Sequence, residues 1–245
     1  MAKLEIQEVK QFLNGEIVEF HKKKLNRLQS IKLREVLKKK NPYLFRAKNL
    51  LVANDLIGEI LDAFLYASEE KMFGDLLEHL AIFIAAKVYD GKKSAATGID
   101  LDFNKKSVRY LVSVKSGPNW GNSSQQEKQR QNFSKAVTVL KQANKDIQVQ
   151  AVLGICYGKS KNSYLHGHLR TMGQSFWYFI SGNRDLYTDI IEPLGHKAKQ
   201  HNEKFTEEKA KILNRFTLEF TIDFCDNGSI NWKKLVEFNS GNIKG

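Results

Sequence analysis

Cysteine is scarce in this chain: Cys156 and Cys225 are the only two in 245 residues. Both stand in apolar settings and read as reduced, buried side chains rather than a disulfide framework. Histidine is also scarce. His166 and His168 form an H-x-H pair, but no further cysteine or histidine stands at metal-ligand spacing, so no zinc site is expected. Long apolar runs are missing. The longest, such as LAIFIAAKVY at 80–89, are too short to span a bilayer. The opening residues, MAKLEIQEVK, lack the basic-then-apolar pattern of a secretion signal. The expectation is a cytoplasmic protein without a membrane partner.

Apolar residues make up 42% of the chain, enough for a packed core. Its length suits one large domain, or a core with an appended arm. Lysine and arginine total 39 against 27 acids, a net charge of +12, which favours a polyanionic partner. The charge is unevenly spread. Lys22 to Lys24, Lys38, Lys39, Lys40, Arg46 and Lys48 crowd the first fifth, and Lys92, Lys93, Lys105, Lys106 and Arg109 crowd the middle. Lys38, Lys39, Lys40, Arg46, Lys48, Lys92 and Lys93 are therefore candidate contacts to such a polyanion.

Periodicity predicts helix from 3 to about 40, ending at Asn41-Pro42 because proline disfavours helix in the residue before it. The stretch NPYLFRAKN then leads into a helix at about 52–66. A separate helix is predicted at 70–89, with Leu76, Leu77, Leu80, Phe83 and Ile84 on one face and Gly74, Glu78, Ala81 and Ala85 on a second stripe. Small residues let that stripe approach a neighbour closely, which puts Glu78 near whatever it approaches. Helix is predicted again at 125–143, 185–201 and 205–225, a buried strand at 149–158, and an aromatic strand at 175–182. His166, His168, Lys159, Lys161 and Arg170 are assigned to a loop. The fold class is α/β: a mixed sheet flanked by helices with a helical N-terminal arm, divided as an arm over 1–45 and a core over 46–245.

The most informative stretch is 98–125. In GIDLDF, Ile99, Leu101 and Phe103 alternate with Asp100 and Asp102. In VRYLVSVK, Val108, Tyr110, Val112 and Val114 alternate with Arg109, Leu111, Ser113 and Lys115. Period two puts both aspartates on one face, and Ser113 with Lys115 on one face, across a hairpin-like NKKS connection. Phosphodiester hydrolysis needs an activated water and neutralised charge at phosphorus. Carboxylates holding Mg²⁺ beside a lysine supply both.

GID…SVK resembles the active-site pattern of the PD-(D/E)XK nuclease superfamily. With NPYLFRAKN, YLVSVKSGPNWGNSSQ, LGICYG, FWYFISGNRDLYTDIIEPLG and LVEFNSGN, roughly residues 40–242 resemble type II restriction endonucleases of the PmeII kind. The resemblance implies a restriction-endonuclease-like core, Mg²⁺ as cofactor, Asp100 as metal ligand and Lys115 as catalytic lysine. It also implies a homodimer on double-stranded DNA, with a cognate DNA methyltransferase as genetic partner. Ser113 departs from the pattern, which has Glu or Asp two residues before the lysine. A second carboxylate must then come from elsewhere. Glu78 ranks first, since superfamily members often contribute an acid from the preceding helix. Glu127, on the following helix, ranks second. Asp102 ranks third, lying ~7 Å along the strand from Asp100.

The loop SGPNWGNSSQ supplies Ser116, Asn119, Asn122 and Ser123 as candidate DNA contacts, and Gln125 as a candidate for touching the attacking water or scissile phosphate. Ser123 or Ser124 is the expected helix cap. Trp120 is read equally as packing residue or base contact. Two other functions stay open at this level: a structure-specific repair or recombination nuclease, and a non-catalytic DNA-binding protein with a decayed site, the latter suggested by Ser113.

Overall fold

Alternating apolar residues at 99–115 build the centre of the fold. In the computed structural model, which describes residues 2–242, they form the hairpin of β2 (Leu101–Lys105) and β3 (Val108–Lys115), turning at Lys106 and Ser107. The sheet is completed by β1 (Lys92–Lys93), β4 (Gln148–Ile155), β5 (Ser163–Leu165) and β6 (His168–Met172), in the order β1-β2-β3-β4-β6-β5. β1 to β3 are antiparallel, β3, β4 and β6 run parallel, and β5 returns antiparallel on β6. This is the mixed sheet flanked by helices that the sequence predicts.

The helices are α1 (Ile6–Gln29), α2 (Leu33–Leu37) and α3 (Pro42–Ala47), which form the N-terminal helical arm, then α4 (Ala53–Tyr89), α5 (Ser123–Ala143), α6 (Gln174–Ser181), α7 (Leu186–Asp189), α8 (Ile191–Leu194), α9 (Ala198–Phe224) and α10 (Trp232–Ser240). A small ribbon pairs β7 (Cys225–Asp226) with β8 (Ser229–Ile230). No helix is long and apolar enough to cross a membrane among the described residues.

The chain divides into two compact units. The first takes the residues up to Val18 and Phe73–His196, and so contains the whole sheet. One face of that sheet carries Leu111, Ala151, Leu153 and Ile155, and α5 covers it with Phe133 and Ala136. Each fully buried Leu, Ile or Phe among them contributes about 1.5–3 kcal/mol. In the same unit Phe12 of α1 stacks on Phe83 of α4 at 4.2 Å. The second unit takes Glu19–Met72 and the residues from Lys197 on. Its core joins Leu28, Val36, Phe45, Leu56, Ile60 and Leu61 to Phe205, Ile212, Phe216, Phe220 and Phe224, so the apolar stripe read in the last long helix is buried throughout. Asn41 caps α3, its side chain accepting from the N–H of Tyr43 and Leu44 with Pro42 in the first helical turn.

Several expectations are corrected. The helices read at 52–66 and 70–89 are one helix, α4, because nothing between them breaks it: Ser68 donates to the Phe64 carbonyl one turn back. The helix read from 3 to 40 is interrupted at Ser30–Lys32, and the one at 185–201 is the two short turns α7 and α8 before α9 begins at Ala198. Residues 175–182 are not a strand but helix α6 with Gly182 as its left-handed C-cap. The residues α6 buries, Phe176, Trp177, Ile180 and Ser181, have helical spacing. Phe176 fills space over Gly154 of β4 that a Cβ there would occupy, and Trp177 donates its indole N–H to the Cys156 carbonyl at 2.8 Å. These contacts override the strand preference of consecutive aromatics. His168 and Arg170 lie in strand β6, not in a loop.

Candidate active site

The register of the hairpin builds the site. Leu101 lies opposite Val112, where the ladder ends, and the Asp100 N–H, one residue before β2, also reaches the Val112 carbonyl at 2.9 Å, out of step with the ladder. Asp100 thereby comes beside the Val112–Val114 stretch of β3. Its Oδ2 accepts from the Val114 N–H at 2.6 Å and from the Ser113 hydroxyl at 3.2 Å, and the Lys115 ammonium stands 3.7 Å away. Oδ1 has no hydrogen bond or ion pair among the described residues. Asp100 and Lys115 are each partly open to solvent, whereas Ser113 is fully buried. A hydroxyl there, in place of the acid of the superfamily pattern, acts as a donor that holds the Asp100 carboxylate in place.

Glu78 approaches the same sheet end. Gly74, one turn earlier on α4, faces the Cβ of Ser116, next to Lys115 in the chain, at a van der Waals separation of 3.6 Å for a Cβ built on the glycine. The Cys156 N–H donates to the Lys115 carbonyl at 2.9 Å. Burial pushes the Cys156 thiol up, the Glu78 carboxylate pushes it further, and the Lys115 ammonium opposes both. Glu78 also pairs with Lys93 of β1 at 3.5 Å. Gly74 of the small-residue stripe read from sequence is where α4 comes close to the chain beyond β3.

The other two candidate acids are engaged elsewhere. Asp102 is taken by Arg109, with Nε to Oδ1 at 2.9 Å and Nη2 to Oδ2 at 2.5 Å. Glu127 is exposed on α5 and accepts twice from Arg130, whose hydrogen bonds and then charge hold its carboxyl below the usual range. Among the described residues, no set of three or more His, Cys, Asp or Glu side chains is placed to hold a metal ion.

The loop after Lys115 is pinned at both ends. A Cβ at Gly117 would meet the Tyr157 ring, so a larger residue there would require that exposed ring to swing away. At the far end the cap of α5 is Asn122, not Ser123 or Ser124: its side chain accepts from the Gln125 N–H at 3.0 Å, and the Gln125 side-chain oxygen accepts from the Asn122 N–H at 2.8 Å. This reciprocal box was readable as N-x-x-Q at 122–125. It uses the Gln125 oxygen and leaves its amide group outward. Asn119 and Ser123 are exposed, while Trp120 is half-buried against the α5-side core with its ring 5.6 Å from the Lys115 ammonium.

Of the basic candidates, Lys92 and Lys93 lie on β1 in the same unit as the site. Lys38, Lys39, Lys40, Arg46 and Lys48 belong to the second unit, where Lys48 pairs with Glu59, Arg46 lies over the Trp232 ring and Lys38 over Phe238.

The sequence profile of the family described as type II restriction endonuclease EcoO109I matches residues 7–202. The chain belongs to that family. The match spans both α1 and the entire sheet, so the EcoO109I family covers all the elements that carry Asp100, Ser113, Lys115 and Glu78. A restriction-endonuclease family of this fold is consistent with nuclease activity, and it does not single out the PmeII kind. No curated protein sequence matches the chain.

Proposed function

We propose that the chain is a Mg²⁺-dependent, site-specific type II deoxyribonuclease that hydrolyses phosphodiester bonds of double-stranded DNA. One observation carries this reading: the Lys115 ammonium stands 3.7 Å from a backbone-anchored Asp100 at the end of two adjacent strands, in a chain of a restriction-endonuclease family. The donor set suits Mg²⁺, which takes hard oxygen ligands and is commonly held by one or two carboxylates with phosphate and water completing its shell. Asp100, through Oδ1, and Glu78 would hold the ion. Bound there, it would supply charge neutralisation at the phosphate and a more acidic water. Lys115 positions that water and stabilises charge developing at phosphorus. Ser113 and the Val114 N–H keep the Asp100 carboxylate aimed, and the outward amide of Gln125 is available to the scissile phosphate. Ser116, Asn119, Asn122, Ser123, Lys92 and Lys93 surround the strand end as DNA contacts.

Cutting both strands of a two-fold site calls for a homodimer, and a host carrying such an enzyme needs a methyltransferase to protect its DNA. Both belong to this reading. Lys115→Ala tests it directly: Mg²⁺-dependent plasmid cleavage should vanish while duplex binding persists. Unchanged cleavage removes Lys115 from the chemistry. Ser113 in the acid position favours a second reading, a non-catalytic DNA-binding protein. A titration of Mg²⁺ and Mn²⁺ without any cleavage product decides for that alternative, and smeared rather than discrete plasmid fragments point to a repair nuclease.

A further inference from the structure

Beside the active-site loop lies a cavity of about 290 Å³, bounded by Trp120 and Pro118 of the loop, Gln126 and Arg130 of α5, and His168 and Arg170 of β6. Arg170 is half-buried and has no hydrogen bond or ion pair among the described residues. A guanidinium that lines a cavity with no carboxylate partner keeps its donor fork available to an anion. The pairing register aligns this arginine with the site. Ser113 lies opposite Leu153, and Leu153 opposite Arg170. Ser113, Leu153 and Arg170 therefore form one row on one face of the sheet, and the Ser113 hydroxyl at its end donates to Asp100. At ~4.8 Å per strand, Arg170 stands roughly 14 Å from Asp100, within the reach of one bound DNA strand. Trp120 joins the two places, since the residue that walls the cavity also holds its ring 5.6 Å from the Lys115 ammonium.

We propose that this cavity receives a backbone phosphate of the DNA strand, gripped by Arg170, and that Trp120 transmits its occupancy to Lys115. Trp120 is a positioning residue: a phosphate seated against the indole holds the ring in place, and the ring face holds the ammonium beside Asp100. The inference rests on the DNA-cleaving function proposed above, and the experiment separates the two.

Binding of the full chain to a labelled mixed-sequence duplex is measured without divalent metal across a salt series, and plasmid cleavage is measured with Mg²⁺. Arg170→Ala should weaken binding about tenfold and reduce the slope of log K against log salt by about one, the signature of one lost phosphate contact. Arg170→Lys, which keeps the charge, should retain the slope. Trp120→Leu should lower kcat about tenfold with Kd nearly unchanged, and Trp120→Phe, which keeps a ring face, should recover most of that loss. In an Arg170→Ala background the Trp120→Leu effect on kcat should shrink. An unchanged salt slope in Arg170→Ala overturns the phosphate site, and fully additive effects overturn the coupling. A wild-type chain that shows the Arg170-dependent slope but never cleaves sinks the nuclease reading and leaves the phosphate site standing. Cleavage by a wild-type chain whose slope ignores Arg170 does the reverse.

Discussion

Asp100 and Asp102 stand two residues apart, one just before β2 and one within it, yet their surroundings give them different chemistry. Asp102 is 8% exposed and gives both oxygens to the Arg109 guanidinium. Asp100 is held through one oxygen by a backbone N–H, a hydroxyl and a nearby ammonium, and keeps the other oxygen free. A carboxylate with both oxygens in a planar fork is a structural tie. One anchored by a single oxygen is oriented but still able to bind. Period two in a sequence places side chains on a face; only their partners decide whether they are structural or chemical.

Substitutions can break this contrast. The largest effect is expected from Asp100→Asn, which should lower Mg²⁺-dependent cleavage by roughly 10²–10³-fold or more with little change in melting temperature. A loss of fold instead of activity would make Asp100 the structural member of the pair. Next, Glu78→Gln should cost about 10² in cleavage rate, while Glu127→Gln, whose carboxylate serves Arg130, should stay within a few-fold. The opposite ranking would move the second metal ligand to α5. Asp102→Ala should act on stability: losing a charged, partly buried pair costs about 2 kcal/mol, or roughly 4–8 °C in Tm at this chain length, with cleavage per folded molecule preserved. Smallest is Ser113→Ala. One hydrogen bond of about 1 kcal/mol corresponds to a rate loss of roughly fivefold, and the Mg²⁺ concentration for half-maximal rate should rise with it.

The strands and hairpin of the site, and the small-residue stripe that carries Glu78, were legible because period two and period 3.6 are geometric consequences of the backbone. What stayed hidden depended on partners distant in the chain. The helix at 174–181 is decided by Gly154 and the Cys156 carbonyl, more than seventeen residues away from it in sequence. Nothing local to Ser113 announces that its hydroxyl meets Asp100, since that requires the strand register. The unpartnered state of Arg170 is invisible until every carboxylate has found its own base. Asn122 is different in kind: its N-x-x-Q spacing was present in the sequence, and the serines beside it drew the assignment.

The turn at Lys106 and Ser107 lies about six residues, or ~20 Å, from Asp100 along the hairpin. That remote turn sets which residue of β2 meets which residue of β3. One residue inserted there, absorbed as a slip of pairing rather than as a bulge, would turn Asp100 away from Ser113 and send an apolar neighbour in its place. The length of this solvent-facing turn is therefore under the same constraint as the reacting groups themselves. Insertions and deletions between β2 and β3 should be tolerated only in pairs, while single substitutions at Lys106 or Ser107 leave the alignment of the distant carboxylate intact.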